Sequence, residues 1–280
     1  MEIFYLGTAA AEGYPGLFCN CPSCVYARKN LPLEMRTRSQ VLIDGTLLVD
    51  LPPDTYLHAV RTGVDFSAVD TILVTHSHMD HFYPQELLNR GYKYARDMTS
   101  PHVTVYGNET VYEVYVEGLS RELRKEAADT ISFRIVRPFE KFSVGKYTVL
   151  SLPAVHTTEE QSLLYAVSDG EKTILYLNDT GDLTEECCAF LAENDVQASL
   201  VSIDCTLADR ESTSTSGRHM GFKKNAVVRE KLAAYGIVSS GTICVTTHFS
   251  HNSDPRRDRM DRLAKEYGCT AAHDGMKITI

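Results

Sequence analysis

The stretch Thr75-His76-Ser77-His78-Met79-Asp80-His81 places four potential metal ligands within six residues, directly after the apolar run Thr71-Ile72-Leu73-Val74. The apolar run predicts a buried strand. Side chains two positions apart on extended backbone point to the same side, so His76 and His78 can reach one ion. A single histidine is more often an ordinary core or surface residue, but this spacing at a strand end indicates a metal site.

The second half of the motif is expected to turn away from the strand. Asp80 is a preferred helix N-cap residue, and the segment 82–92 contains helix formers such as Gln85 and Leu87. We therefore predict a helix capped by Asp80, in a turn that directs Asp80 and His81 towards a second, adjacent ion.

Further ligand residues follow other predicted strands. The strands at 147–152, 173–177, 199–203 and 242–245 are followed by His156, Asp179, Asp204 and His248. Since α/β sheets place ligand sites at strand ends, we expect these side chains to converge. The predicted first ion is held by His76, His78 and His156, the second by Asp80, His81 and His248, and Asp179 bridges the two. The alternatives are a core histidine at His156 and a turn-forming aspartate at Asp179.

Two metal ions about 3.5–4 Å apart can ionise a water at neutral pH and stabilise the attacking and leaving oxygens of a displacement reaction. The positive charge of two divalent cations exceeds the negative charge of the Asp80 and Asp179 carboxylates and a bridging hydroxide. The remaining positive charge suits an anionic phosphate substrate. We assign Asp50 and Asp204 to the orientation of the ligand imidazoles, with strand-end capping as the alternative for both.

The cysteines predict a separate zinc site. Cys19, Cys21 and Cys24 suit a closed tetrahedral structural zinc but supply one ligand too few. We expect His251 to be the fourth ligand, because it lies three residues after His248 and can face a neighbouring site. A redox-active or merely buried group of thiols is the alternative. The remaining cysteines are interpreted as small core residues: Cys187, Cys188, Cys205, Cys244 and Cys269.

Composition and charge narrow the classes of function. The chain of 280 residues is 43% hydrophobic and 23% charged, as in ordinary globular proteins. Its formal charge of -9 disfavours nucleic acid and other large polyanions as partners but permits small anions. The N-terminus lacks a basic leader, and no apolar run reaches about 18 residues, so we expect a cytoplasmic protein that does not bind membranes.

The order of the predicted elements indicates an α/β (α+β) fold in one domain, residues 1–280. A hairpin at 40–43 and 46–50 turns at Asp44-Gly45, a dipeptide suited to a type I′ turn. We also predict a helix at 110–127, a Ser/Thr-rich loop at 211–217 and a terminal strand pair at 270–272 and 276–280. Since no linker or internal repeat interrupts the chain, we expect two packed sheets with helices outside.

The motif His76-Ser77-His78-Met79-Asp80-His81 resembles the signature of the metallo-β-lactamase superfamily, and the resemblance extends through His156, Asp179 and His248. Within that superfamily, Cys19-x-Cys21-x-x-Cys24 and the His248-x-x-His251 spacing are similar to those of the PhnP-type cyclic phosphodiesterases of phosphonate breakdown. The resemblance implies a four-layer αββα sandwich, two active-site Mn²⁺ or Zn²⁺ ions and one structural Zn²⁺. It also implies hydrolysis of a small phosphodiester, such as a ribose cyclic phosphate.

The resemblance further marks His219, in Arg218-His219-Met220-Gly221, as a catalytic histidine that contacts phosphate or protonates the leaving oxygen. An exposed histidine at a helix N-terminus is the alternative. We place Asp80 with His219 among the catalytic residues. The segment 82–155 carries no motif, and we expect it to shape the substrate pocket or a subunit contact, for which a homodimer is one option.

Three other functions are weighed against the phosphodiesterase. The same metals could serve a hydrolase of another ester or thioester class. A non-hydrolytic biosynthetic or binding protein of the PqqB type shares the scaffold and a similar cysteine motif, but the complete ligand set argues against it. Ribonuclease Z-like processing of tRNA is disfavoured by the acidic charge balance.

Overall fold

Fourteen strands form two seven-stranded sheets in the computed structural model, which describes residues 1–91, 93–210 and 217–280. In spatial order the first sheet contains β14 (Met276–Thr279), β1 (Glu2–Gly7), β2 (Gln40–Ile43), β3 (Leu47–Val49), β4 (Thr71–Leu73), β5 (Val103–Gly107) and β6 (Ile131–Ile135). The second contains β13 (Thr270–Ala271), β12 (Ile243–Thr247), β11 (Leu200–Asp204), β10 (Thr173–Leu177), β9 (Leu163–Ser168), β8 (Tyr147–Pro153) and β7 (Lys141–Val144). Both sheets mix parallel and antiparallel pairs.

Alternating side chains build three apolar layers around these sheets. Ile3 and Tyr5 of β1 enter a central core between the sheets, together with Ile174 and Tyr176 of β10. The intervening residues face outwards: those of β1 join a cluster under the helices of the first sheet, and those of β10 join one under the helices of the second. This period of two buries both faces of the central strands, as a four-layer sandwich requires.

Seven α-helices lie outside the sheets in the described part of the chain. They are α1 (Pro22–Lys29), α2 (Thr55–Thr62), α3 (Glu109–Leu119), α4 (Lys125–Ala128), α5 (Glu185–Glu193), α6 (Phe222–Ala234) and α7 (Arg257–Glu266). Short 3₁₀ helices occupy Phe66–Ala68, Pro84–Arg90 and His251–Ser253. Val111 of α3 packs on the first sheet and Leu232 of α6 on the second, which confirms the predicted αββα arrangement.

Two local predictions are wrong. Asp80 caps no helix, because the 3₁₀ helix Pro84–Arg90 begins only after Tyr83. The Tyr83 N–H donates to the Leu51 carbonyl, and this bond holds the start of the 3₁₀ helix against the segment that follows β3. The last two strands do not pair with each other. Instead, β13 pairs with β12 in the second sheet, and β14 pairs with β1 in the first, where the Gly275 N–H also bonds to the Tyr5 carbonyl.

Other details agree with the sequence or lie outside the described residues. Asp44 and Gly45 both have positive φ, as the predicted type I′ turn needs. The predicted helix at 110–127 is divided between α3 and α4.

Apart from Gly217, the loop predicted at 211–217 lies outside the described residues, as does Tyr92 at the end of the predicted helix 82–92. No helix in the described ranges combines the length and apolarity of a membrane span. The single domain stays a prediction.

Candidate metal centres

Loops that follow strands of both sheets bring the predicted ligands together. The loop after β4 carries His76, the loop after β8 carries His156, and Asp179 and His248 follow β10 and β12. Donor atoms of two groups lie within 4.8 Å of one another: His76, His78 and His156 form one group, and Asp80, His81, Asp179 and His248 form the other. The structure therefore brings together all seven predicted ligands of the dinuclear site.

The first group consists of three imidazoles whose ring nitrogens face a common point. The Nδ1 of His78 lies 3.0 Å from the Nε2 of His76 and 3.2 Å from the Nε2 of His156. Burial lowers the pKa of His76 and of His156, so both rings favour the neutral form that ligates metals. Neutral nitrogens converging in this way fit a divalent cation between them.

The second group surrounds one oxygen of Asp179. Its Oδ2 lies 3.2 Å from the Nε2 of His81 and 3.2 Å from that of His248, while Asp80 Oδ2 lies 3.3 Å from His81 Nε2. The same Asp179 oxygen is 4.0 Å from His76 Nε2 and 3.9 Å from His156 Nε2 in the first group. Asp179 Oδ2 therefore lies between the groups, as a bridging ligand must.

The chemistry of Asp179 supports cation binding. Its side chain is only 3% exposed, and its Oδ1 is buried without a hydrogen-bond partner among the described residues. Burial alone would raise the pKa of this carboxyl, but the neighbouring His248 and His81 hold it well below its ordinary value. A buried, charged carboxylate with an unpartnered oxygen is costly unless a cation compensates it. The residues present thus fit a pair of divalent ions.

An aspartate and a threonine orient the imidazoles delivered by the first sheet. Asp50 Oδ2 lies 2.7 Å from the Nδ1 of His81, and Asp50 Oδ1 accepts hydrogen bonds from the N–H and hydroxyl of Thr75. The Thr75 hydroxyl is in turn 3.0 Å from the Nδ1 of His76. These bonds fix which nitrogen of each ring faces the metal site.

In the second sheet, Asp204 and Thr206 orient imidazoles through a similar set of hydrogen bonds. Asp204 Oδ2 lies 2.8 Å from the Nδ1 of His219, and its Oδ1 accepts from the N–H and hydroxyl of Thr206. The Thr206 hydroxyl is 2.8 Å from the Nδ1 of His248. Burial opposes protonation of His219, but Asp204 raises its pKa to about 9. The His219 ring centre is 4.9 Å from that of His156, which puts it beside the ligand groups.

Two of these residues have unusual backbone. Asp50 has φ 68° and His248 has φ 64°, in the left-handed region that residues other than glycine seldom adopt. Asp50 directly follows β3 and His248 directly follows β12. The left-handed backbone at these positions turns each side chain towards the site. Such strain is characteristic of functional positions that the surrounding structure holds in place.

Three residues of the site were not predicted from the sequence: Thr75, Thr206 and Glu160. The carboxylate of Glu160 accepts from the N–H of Ser77 at 3.0 Å, from its hydroxyl at 2.6 Å and from Asn108 Nδ2 at 2.8 Å. This contact ties the loop of His156 to the loop of His76 and His78. The two threonines could have been found from their place beside strand-end ligands or carboxylates, whereas nothing in the sequence marks Glu160.

A second cluster contains Cys19, Cys21, Cys24 and His251, with donor atoms within 4.8 Å of one another. The Nδ1 of His251 lies 3.4 Å from Cys24 Sγ and 3.8 Å from Cys21 Sγ. Cys21 caps α1, where its Sγ accepts from the Cys24 N–H. Three thiols and one imidazole in this arrangement fit a closed tetrahedral zinc site. The predicted fourth residue, His251, is the one that the structure supplies.

The chain is similar to proteins of a known family. A family model described as the beta-lactamase superfamily domain matches residues 40–249. Coenzyme PQQ synthesis protein B from Methylobacterium sp. (strain 4-46) is 24% identical, with 100% of both chains covered. The protein of that name from Methylobacterium radiotolerans is 30% identical over 133 residues, which cover 42% of this chain and 44% of the relative.

Solved structures with the same fold include two of nearly equal similarity. A new diphosphatase from the PhnP family has a TM-score of 0.76 at 21% identity, covering 100% of this chain and 97% of its own. Zn²⁺-bound PqqB from Methylobacterium extorquens has a TM-score of 0.76 at 19% identity, with both chains covered fully. At these identities the similarity shows the fold.

Proposed function

Since the chain belongs to the metallo-β-lactamase superfamily, we propose that it is a dinuclear metal-dependent phosphodiesterase acting on a small, cyclic phosphodiester. Members of this superfamily are typically metal-dependent hydrolases. The observation that carries the proposal is the position of Asp179 Oδ2, which lies within 4.0 Å of imidazole nitrogens from both ligand groups. A carboxylate oxygen shared in this way is placed to bridge two ions side by side.

The ligands divide between two ions as the geometry groups them. His76, His78 and His156 would hold one ion and Asp80, His81 and His248 the other, with Asp179 placed between the two groups. When bound, such a pair of Mn²⁺ or Zn²⁺ ions lowers the pKa of a water and stabilises charge on phosphate oxygens. The protein's own contribution is the fixed orientation of the rings through Asp50, Thr75 and Thr206.

His219 is the proposed proton donor to the leaving oxygen. Asp204 holds its Nδ1 at 2.8 Å, so its Nε2 is the nitrogen available for proton transfer. The raised pKa, about 9, keeps the imidazole protonated at neutral pH, as a general acid needs. The side chain of Asp204 is fully buried and that of His219 is 26% exposed, so the pair connects the core to the substrate side.

The cavity beside His219 favours a small anionic substrate. It has a volume of about 400 Å³, and its charged lining consists of Arg210, Lys223, Lys224 and His219 with the carboxylates of Asp182 and Asp209. Asp209 pairs with Arg259 outside the cavity. Lys224 pairs with Asp182 at 2.9 Å, so part of its charge is already compensated. A cavity of this size holds a small molecule, and the overall charge of -9 disfavours a long polyanion.

The cluster of Cys19, Cys21, Cys24 and His251 is proposed to bind one structural Zn²⁺. It joins the N-terminal loop to the segment after β12, which also supplies His248. The Ser250 hydroxyl and the His251 N–H both bond to Glu12, which strengthens the same connection. The zinc would thereby hold one wall of the catalytic centre in place.

The test is hydrolysis by purified protein loaded with Mn²⁺ or Zn²⁺, using bis-p-nitrophenyl phosphate and a series of small cyclic phosphates. We expect metal-dependent turnover that the chelated protein lacks and that Asp179→Ala lowers about a thousandfold. Parallel thioester and lactone substrates distinguish the other ester classes. No turnover of any phosphodiester by protein shown to hold both active-site ions would refute the proposal.

A second candidate is supported by the names of the curated relatives, which are coenzyme PQQ synthesis protein B. On this hypothesis the chain is a non-hydrolytic biosynthetic or binding protein. Metal analysis separates the two functions. About one tightly held zinc per chain, with no further ion bound on addition of Mn²⁺, would favour the binding protein.

A further inference from the structure

A pair of thiols lies in the second sheet, outside both metal clusters. Cys244 in β12 and Cys269, which precedes β13, have their Sγ atoms 2.8 Å apart. The parallel register pairs Val245 with Thr270, so the two cysteines lie side by side on neighbouring strands. A strand spacing of about 4.8 Å falls within the Cα separation of about 4.4–6.8 Å that a disulfide spans.

Arg229 of α6 distinguishes the two thiols. Its Nη1 lies 3.3 Å from Cys269 Sγ and also donates to the Tyr267 carbonyl at 2.7 Å, which fixes the guanidinium beside the sulfur. The bond from Cys244 and the charge of Arg229 lower the pKa of Cys269, whereas the pKa of Cys244 is raised. Cys269 is therefore suited to be the thiolate and Cys244 the thiol that donates to it.

A small reagent can reach Cys269 through the exposed part of its side chain and Cys244 through a cavity. Cys269 is half-buried, whereas Cys244 is 6% exposed. A cavity of about 370 Å³ extends to Arg229 and Cys244 from the outer side of the sheet. Cys244 precedes His248 by four residues of extended chain, about 13 Å, so a reagent in this cavity does not contact the metal centre. As predicted, Cys244 belongs to an apolar core cluster, and Cys269 packs against it.

We propose that Cys244 and Cys269 form an oxidation site that reacts with hydroperoxides and closes to a disulfide. An accessible thiolate next to a cation, with a second thiol in contact, is the arrangement that redox-sensitive cysteines share.

The reaction balances as two steps. The Cys269 thiolate attacks one peroxide oxygen, the O–O bond breaks, and the departing alkoxide or hydroxide takes a proton from water, leaving a sulfenic acid on Cys269. The Cys244 sulfur then attacks the Cys269 sulfur, the S–O bond breaks, and the Cys244 proton leaves with the hydroxide as water. The two sulfurs together lose two electrons, and the peroxide gains them.

The experiment treats the metal-loaded full chain with hydrogen peroxide, followed by differential alkylation and peptide mass spectrometry. We expect a disulfide between Cys244 and Cys269 to form at least about tenfold faster than any oxidation at Cys187 and Cys188. These two are the control, since they are also neighbouring thiols, but they lie buried within α5 and burial raises the pKa of both. Peptides carrying Cys19, Cys21 and Cys24 are scored separately.

Three variants test the assigned roles. Cys244→Ser should stop at a sulfenic acid that a dimedone reagent traps, and Cys269→Ser should form neither product. Arg229→Gln keeps both thiols and should slow the reaction about tenfold, which preserves the test if a cysteine variant fails to fold. Oxidation of Cys269 no faster than that of Cys188, or an unchanged rate in Arg229→Gln, would overturn the proposal.

Discussion

The two ligand clusters share the segment after β12, but they are assembled in opposite ways. His248 belongs to the dinuclear cluster and His251, three residues later, to the thiol cluster. The dinuclear cluster draws its donors from loops after β4, β8, β10 and β12, which lie far apart in sequence. The thiol cluster takes three of its four donors from 19–24, and His251 is its one distant member.

This difference distinguishes a site whose ligands the folded chain already orients from a site whose metal ion would hold part of the chain in place. In the dinuclear cluster, Asp50, Thr75, Asp204 and Thr206 already orient the ligand rings by hydrogen bonds. In the thiol cluster, a zinc ion would add four bonds between the N-terminal loop and the segment after β12, which are otherwise joined by hydrogen bonds such as those of Glu12 to His251 and of Ser23 to Asp254. We therefore expect ligand loss to impair activity in the first case and stability in the second.

The largest effect is expected from Asp179→Ala. Removing the bridging carboxylate should cost several kcal/mol of transition-state stabilisation, which corresponds to about a thousandfold lower turnover. Metal analysis should show loss of active-site ions while the zinc of the thiol cluster is retained. Asp129→Asn, at an exposed carboxylate, is the control and should leave both quantities unchanged. Loss of the zinc as well in Asp179→Ala would mean that the clusters are not independent.

Next in size is the effect of Cys21→Ser on stability. Loss of one thiolate should release the zinc and lower the free energy of unfolding by about 4 kcal/mol or more, since metal loss is among the few causes of so large a change. Denaturant unfolding with parallel metal analysis measures both. Asn20→Ala in the same loop should keep the zinc. If Cys21→Ser lost activity but no stability, the contrast between the clusters would be wrong.

A smaller effect is expected from Thr206→Val, which removes the hydroxyl next to His248 Nδ1 and keeps the side-chain shape. Metal affinity at the dinuclear site should fall about 10–100-fold, as for other residues that orient ligands. Thr247→Val is a matched control, because the Thr247 hydroxyl is buried without a hydrogen-bond partner among the described residues. Competition with a chromophoric chelator gives the affinities, and equal values for the two variants would contradict the orienting role.

Much of the dinuclear site was predictable because strand-end position is a local property. An apolar run followed by His or Asp can be read from sequence, and the structure brings His76, His156, Asp179 and His248 together as predicted. The pairing of the last strands was not predictable, because which sheet each joins depends on long-range contacts such as that between Gly275 and Tyr5. Glu160 was missed for the same reason, since its partner Ser77 is 83 residues away.

The smallest expected effect concerns the thiol cluster without its metal. The Cys24 N–H at the start of α1 lowers the pKa of Cys21 to about 6, whereas burial raises that of Cys24 to about 12. A thiol with a pKa near 6 is largely ionised at pH 7, so its alkylation by iodoacetamide should slow only about tenfold between pH 7 and pH 5. An ordinary thiol, with a pKa near 8.5, should slow about a hundredfold over the same range. Peptide mapping of chelated protein measures each cysteine, and a hundredfold change at Cys21 would show that α1 does not prepare this ligand before zinc binds.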